Sequence, residues 1–158
     1  MGLVLMRDKI IATMKQSLKD KDQAALSTMR LIMAALKDRD IAARGSGNYD
    51  GIGDDEILGM LQTMIKQRTE SAKMYLDGNR PELAAAEEEE ISIIRTFLPA
   101  QLTAEEMDVV IANAITTTRS SSVKDMGQVM GYLKSNFAGQ MDFSEASHAV
   151  KTALMSKN

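Results

Sequence analysis

The sequence is short of several residue types, and each shortage excludes a class of protein. It has no cysteine, which excludes disulfides, zinc–thiolate sites and a cysteine nucleophile, and which fits a reducing compartment. It has one histidine, His148, too few for a histidine metal centre and a poor basis for a Ser-His-Asp triad. Aromatic residues make up only 4% of the chain, without tryptophan, so the core must consist of aliphatic side chains, alanine and the 13 methionines.

Long apolar runs and an excess of positive charge are missing as well. The apolar start of the chain is too short for a signal peptide or a membrane span, so we predict a soluble, cytoplasmic protein without a membrane partner. The net charge is −3 and the pI is about 5.2. Proteins that hold nucleic acid by bulk electrostatics are usually basic, so any RNA contact must be local or assisted by a partner.

What the sequence does contain is helical periodicity: apolar residues recur at three- and four-residue steps, and no segment alternates like a strand. We predict an all-α fold that begins with a four-helix hairpin or bundle over residues 1–98. Its landmarks are a first helix over 3–19, an Asp22 cap on the second helix, an Asp54 or Asp55 cap on the third, Pro81 opening the fourth and Pro99 stopping it. The segment 45–53 contains four glycines and is predicted to be a mobile loop.

Shorter helices follow Pro99. Three cap-like starts are visible, at Thr103 with Glu106, at Ser122 with Asp125, and at Asp142. We therefore predict a three-helix domain over residues 103–158, joined to the first domain at Leu98-Pro99.

Three charged residues lie along apolar helix faces of the N-terminal domain. Arg68 shares the apolar face of the third helix, and Glu87 and Glu90 share that of the fourth. If these helices form a hairpin around Gly78-Asn79, Arg68 and Glu90 are equally far from the turn and should meet. We interpret Arg68, Glu87 and Glu90 as an interhelical ion pair that fixes the register; the alternative is a functional polar site.

The acidic run 87–90 is not interpreted as a metal site. Four consecutive helical residues point in four directions, so they cannot converge on one ion, and a solvated face is the better interpretation. We expect no metal, no cofactor and no catalytic residue.

The least ordinary stretch lies in the sixth predicted helix, where Gly127 and Gly131 share a face. Each glycine costs a helix about 1 kcal/mol relative to alanine, so something should approach this backbone closely. One interpretation is tight packing of a neighbouring helix. The other is a surface for a nucleic acid or a protein partner, made by Lys124, Met126, Gly127, Gly131 and Lys134, with the lysines facing phosphate.

Three blocks of the sequence, taken in order, resemble YqeY-like proteins: residues 66–72, 98–102 and 124–130. The last two also resemble the tail domain of the B subunit of the tRNA-dependent Asp/Glu amidotransferase, the GatB/YqeY domain. This resemblance covers essentially the whole chain, and it implies a two-part helical fold and a link to the amidation of mischarged tRNA, in which the tail domain helps to hold tRNA. One departure is Gln140, where a basic residue is expected and a charge that could contact phosphate is lost.

Three hypotheses for the function follow. The first is an accessory protein that binds tRNA, or amidotransferase subunits, through its C-terminal domain. The second is a stand-alone carbon–nitrogen ligase with glutamine as amido donor, which the missing Ser-Lys amidase signature and ATP-binding glycine loop disfavour. The third is a protein–protein adaptor that uses the exposed face of the sixth helix.

Overall fold

The computed structural model describes residues 5–157, and this part of the chain folds into α-helices and one short 3-10 turn, with no strand. The predicted all-α class is confirmed. The chain divides between Leu98 and Pro99 into two compact units. Residues 3 and 4 of the predicted first helix lie outside the described range.

The N-terminal unit consists of α1 (Met6–Lys19), α2 (Gln23–Gly45), α3 (Asp54–Asp77) and α4 (Pro81–Arg95). The apolar faces of all four helices meet in one core, so the three- and four-residue spacing of their aliphatic side chains accounts for the bundle. Its buried members are Ile10, Met29, Ile32, Leu36, Ile52, Ile57, Met60, Leu61, Met64, Ile94 and Phe97.

The ends of these helices follow the predicted signals in part. Asp22 caps α2 by accepting a hydrogen bond from the Ala25 amide, as predicted. The predicted Asp54 or Asp55 cap on α3 is wrong, because Gly53 precedes the helix and the Asp54 carboxylate accepts from the backbone amide of Met6 instead.

The fourth helix ends earlier than predicted, at Arg95 instead of at Pro99. The next three amides bond to carbonyls three residues back, so the chain tightens into turns before the proline. This tightening buries Phe97 in the core of the N-terminal unit.

The glycine-rich segment 45–53 is not the free loop that its composition predicts. Ile52 is buried, and its amide donates to the Asp40 carboxylate while its carbonyl accepts from Arg7. Arg7 and Asp40 themselves form a two-pronged ion pair with N–O distances of 2.7 and 2.9 Å. The loop is therefore attached to α1 and α2, and the hydrogen bond from Arg7 is the main reason that the pKa of Asp40 lies below its ordinary value.

The C-terminal unit consists of α5 (Ala104–Thr117), a 3-10 turn (Val123–Asp125), α6 (Met126–Asn136) and α7 (Phe143–Met155). Thr103 and Glu106 form the predicted capping box, and Asp142 caps α7 through the Ser144 amide. The helices enclose a second core of apolar side chains: Ile111, Ala114, Ile115, Val129, Leu133, Met141, Ala146, Val150 and Leu154.

Candidate nucleic-acid and partner interface

One face of α6 holds this helix in the C-terminal unit, and the opposite face is open. Val129 and Leu133 are fully buried in the core. Gly127 and Gly131 are exposed, and at 100° per residue they lie on the far side of the helix from that buried pair.

Within residues 5–157, nothing packs against the glycines of α6. A Cβ atom built on either Gly127 or Gly131 would meet no atom within 4 Å, beyond the helix's own backbone and chain neighbours. The predicted alternative of tight packing against another helix is therefore wrong. Each glycine still costs the helix about 1 kcal/mol relative to alanine, and no contact among residues 5–157 compensates for that cost.

Two lysines flank this bare stretch of backbone. Gly131 follows Gly127 by four residues, and the exposed Lys134 follows Gly131 by three. All three residues therefore share one face of α6. We call Gly127, Gly131 and Lys134 the α6 ridge. Lys124 is exposed in the 3-10 turn that leads into the helix, just before the ridge begins.

Met126 does not belong to the α6 ridge, although the sequence grouped it with these residues. Its side chain is half-buried and packs against the core of the C-terminal unit. Met126 is one residue from Gly127, which is about 100° of rotation, so the same helix register that exposes the glycine turns the methionine inward.

The turn before α6 is held by a dense set of hydrogen bonds. The Asp125 carboxylate accepts from the amides of Ser121 and Ser122 at 2.8 and 3.2 Å, and these bonds hold the pKa of Asp125 below its ordinary value. Ser120 is buried, and Nε2 of the Gln128 side chain donates to its hydroxyl at 3.0 Å. These contacts fix the start of α6 against the end of α5.

In the N-terminal unit, Arg68 and Glu90 meet across the α3–α4 hairpin, with Nε of Arg68 2.7 Å from a carboxylate oxygen of Glu90. Arg68 also donates from Nη1 to the carbonyl of Met64 at 3.1 Å. The side chains are 15% and 30% exposed, respectively, so the pair is partly shielded from water. This geometry is that of a structural ion pair.

Glu87 does not join this pair, contrary to its predicted role. It is half-buried and makes no hydrogen bond or ion pair with another residue in the described range. Arg68 reaches back along α3 towards Met64, which is the usual direction for a helical side chain. Its guanidinium therefore points away from the hairpin turn, whereas Glu87 lies on the turn side of Glu90.

Neither a metal cluster nor a membrane-spanning helix is found between residues 5 and 157. No three or more acidic, histidine or cysteine side chains come together there as metal ligands. No helix of that range is long and apolar enough to cross a bilayer.

Comparison with known proteins identifies relatives over most of the chain. A protein of Vanderwaltozyma polyspora named Altered inheritance of mitochondria protein 41, mitochondrial, is 32% identical over 85 residues, which cover 54% of this chain and 44% of that protein. Its namesakes in Lachancea thermotolerans and Saccharomyces cerevisiae are 28% and 23% identical, over 71% and 75% of this chain and 61% and 64% of theirs. The chain thus spans less than two thirds of the length of each of these relatives.

A family model gives broader coverage. The model described as Yqey-like protein matches residues 7–154, which include both compact units and every helix from α2 to α6 in full. The chain belongs to the YqeY-like protein family.

Proposed function

We propose that this YqeY-like protein is a cytoplasmic accessory protein of tRNA amidation that holds tRNA on the α6 ridge, alone or together with amidotransferase subunits. The observation that carries the proposal is the exposed pair Gly127 and Gly131, which costs helix stability and packs against nothing in the described chain. A bare helix backbone lets a sugar–phosphate chain approach closely. Lys134 supplies positive charge on that surface, and Lys124 supplies it in the turn just before the surface begins.

The proposal fits the net charge of −3, because it needs only a small basic surface. Few phosphates are neutralised, so binding should be weak and its salt dependence shallow. The two rival functions, a glutamine-dependent carbon–nitrogen ligase and a protein–protein adaptor, predict different results in the same experiments.

The test combines a charge change at the two flanking lysines with a steric change on the α6 ridge. Lys124→Glu with Lys134→Glu should weaken binding to a labelled tRNA transcript in an anisotropy titration, while the thermal transition stays nearly unchanged, because exposed charges contribute little to stability. Gly127→Leu should also weaken binding. It should not lower stability, since leucine is a better helix former than glycine and its Cβ atom would meet no neighbour within 4 Å among residues 5–157.

The matched control is Lys15→Glu with Lys73→Glu, two exposed lysines of the N-terminal unit, which should leave the affinity for tRNA unchanged. If the unaltered protein shows no affinity for tRNA at low salt, with or without amidotransferase subunits, the proposal is wrong. A protein captured through the α6 ridge would then favour the adaptor. ATP- and glutamine-dependent conversion of a mischarged tRNA by the purified chain would favour the ligase.

A further inference from the structure

The helices α5 and α7 start at one end of the C-terminal unit and finish at the other. Just before them, the Leu102 amide donates to the Gln140 carbonyl at 2.9 Å, and the Gln101 side chain donates to the Gly139 carbonyl. Just after them, Nζ of Lys157 donates to the Ser120 carbonyl at 3.3 Å. The two helices therefore run side by side in the same direction.

This arrangement separates the charges of the unit. The acidic end, where α5 and α7 begin, carries nearly all of its carboxylates: Glu105, Glu106, Asp108, Asp142 and Glu145. The opposite end carries Arg119, Lys124 and Lys157, all exposed. We call these three residues the basic end. Among residues 5–157, the one carboxylate there is Asp125, which already accepts hydrogen bonds from two backbone amides.

The cations of the basic end lie around a single turn. Arg119 directly follows the Thr118 cap of α5, and Lys157 bonds to the next residue, Ser120. The Gln128 side chain donates to both Thr118 and Ser120, which holds the first turn of α6 against the same place. The basic end therefore adjoins the start of the α6 ridge.

Among the three cations of the basic end, Arg119 is the one whose side chain the fold does not require. Its φ is +54°, in the left-handed region after a helix end, where glycine is the usual residue. Its guanidinium makes no hydrogen bond or ion pair with any residue between 5 and 157, whereas Lys157 already donates to the Ser120 carbonyl. A strained, exposed and unpaired arginine at a basic surface points to an external anion.

We propose that the basic end is a phosphate-binding site, in which Arg119, Lys124 and Lys157 hold the backbone of a polynucleotide as it leaves the α6 ridge. The inference rests on the proposed tRNA binding and extends its path: the strand lies along α6 between Lys134 and the basic end. Lys124 to Lys134 spans ten residues, or roughly 15 Å of helix, enough for a few consecutive phosphates.

The test is a salt titration of tRNA binding by anisotropy, with the full chain and a labelled tRNA transcript. Four cations, those of the basic end and Lys134, predict a slope of log affinity against log salt of about −3, because each contributes about 0.7 to 0.9. Arg119→Gly removes one cation, so it should make the slope shallower by about 0.7 to 0.9. When the salt rises from 50 to 200 mM, the factor by which the variant loses affinity should be about 2.6 to 3.5 times smaller than that of the unaltered protein.

The same variant separates binding from folding. Glycine adopts the positive φ of position 119 without strain, so Arg119→Gly should keep or raise the melting temperature while weakening binding. If Arg119 served only the fold, Arg119→Gly would lower the melting temperature and leave binding unchanged. Arg30→Gln, which removes an exposed arginine of the N-terminal unit, is the matched control and should change neither quantity.

The outcomes distinguish this site from the proposed function. If the unaltered protein binds tRNA and the paired Lys124 and Lys134 reversals weaken it, but Arg119→Gly and Lys157→Gln leave affinity and salt slope unchanged, the basic end is not a phosphate site and the tRNA function stands. If the unaltered protein binds no tRNA at 50 mM salt, with or without amidotransferase subunits, both proposals fall. If Arg119→Gly weakens capture of a protein and not of tRNA, the ligand class is wrong.

Discussion

The ion pair between Arg68 and Glu90 allows a quantitative test of the N-terminal unit. Arg68→Ala removes two charge-assisted hydrogen bonds, to the Glu90 carboxylate at 2.7 Å and to the Met64 carbonyl at 3.1 Å. Breaking a fully buried pair costs about 3 to 5 kcal/mol, and losing an exposed one costs below about 1 kcal/mol. The Arg68 and Glu90 side chains are 15% and 30% exposed, so water can partly solvate the Glu90 carboxylate that Arg68→Ala leaves unpaired. We therefore expect a loss of about 2 kcal/mol.

The measurement is urea unfolding followed by circular dichroism. For an m-value of about 2 kcal/mol per molar, the loss corresponds to a midpoint lowered by about 1 M urea. Hydrogen exchange in peptides from α3 and α4 assigns the change to the N-terminal unit, because local opening there should become easier.

Two variants control for effects other than the pair. Glu87→Ala removes a half-buried carboxylate of α4, the helix that also carries Glu90. Glu87 has no partner in the described range, so its loss should cost less than about 0.5 kcal/mol of stability. In a double-mutant cycle, Arg68→Ala and Glu90→Ala should show a coupling of about 1 kcal/mol or more. A cost for Arg68→Ala below about 1 kcal/mol, or the same cost with Glu90 already removed, would refute the argument.

Two further predictions concern other parts of the chain. The hydrogen bond from Arg7 lowers the pKa of Asp40, so the stabilisation it provides is present above the unfolded pKa and is lost as pH falls through the lowered folded value. Asp40→Asn should therefore flatten the decline of the urea midpoint below about pH 4, and an unchanged pH profile would contradict this role. Gly131→Ala should raise the stability of the C-terminal unit by about 1 kcal/mol, because the added methyl group enters open space; a lower melting temperature would show that the position is crowded.

Local signals predicted much of the fold because they act over a few residues. The caps at Asp22 and Thr103 involve a side chain and an amide three residues ahead, and both form as predicted. The meeting of Arg68 and Glu90 was also predictable, since two helices joined by a short turn must pair residues equally far from it. The predicted cap of α3 at Asp54 or Asp55 is wrong for a non-local reason, because Asp54 bonds to Met6, far away in the sequence, and Gly53 precedes the helix.

The sequence by itself determined the helical class, most helix starts and the register of the α3–α4 hairpin, because period, caps and a short turn are local properties. Only the tertiary structure decided which surfaces face water and which long-range pairs form. Arg7 and Asp40 are 33 residues apart, and no spacing rule links them. The exposure of Gly127, and the gathering of cations at one end of the C-terminal unit, depend on how whole helices pack and in which direction they run.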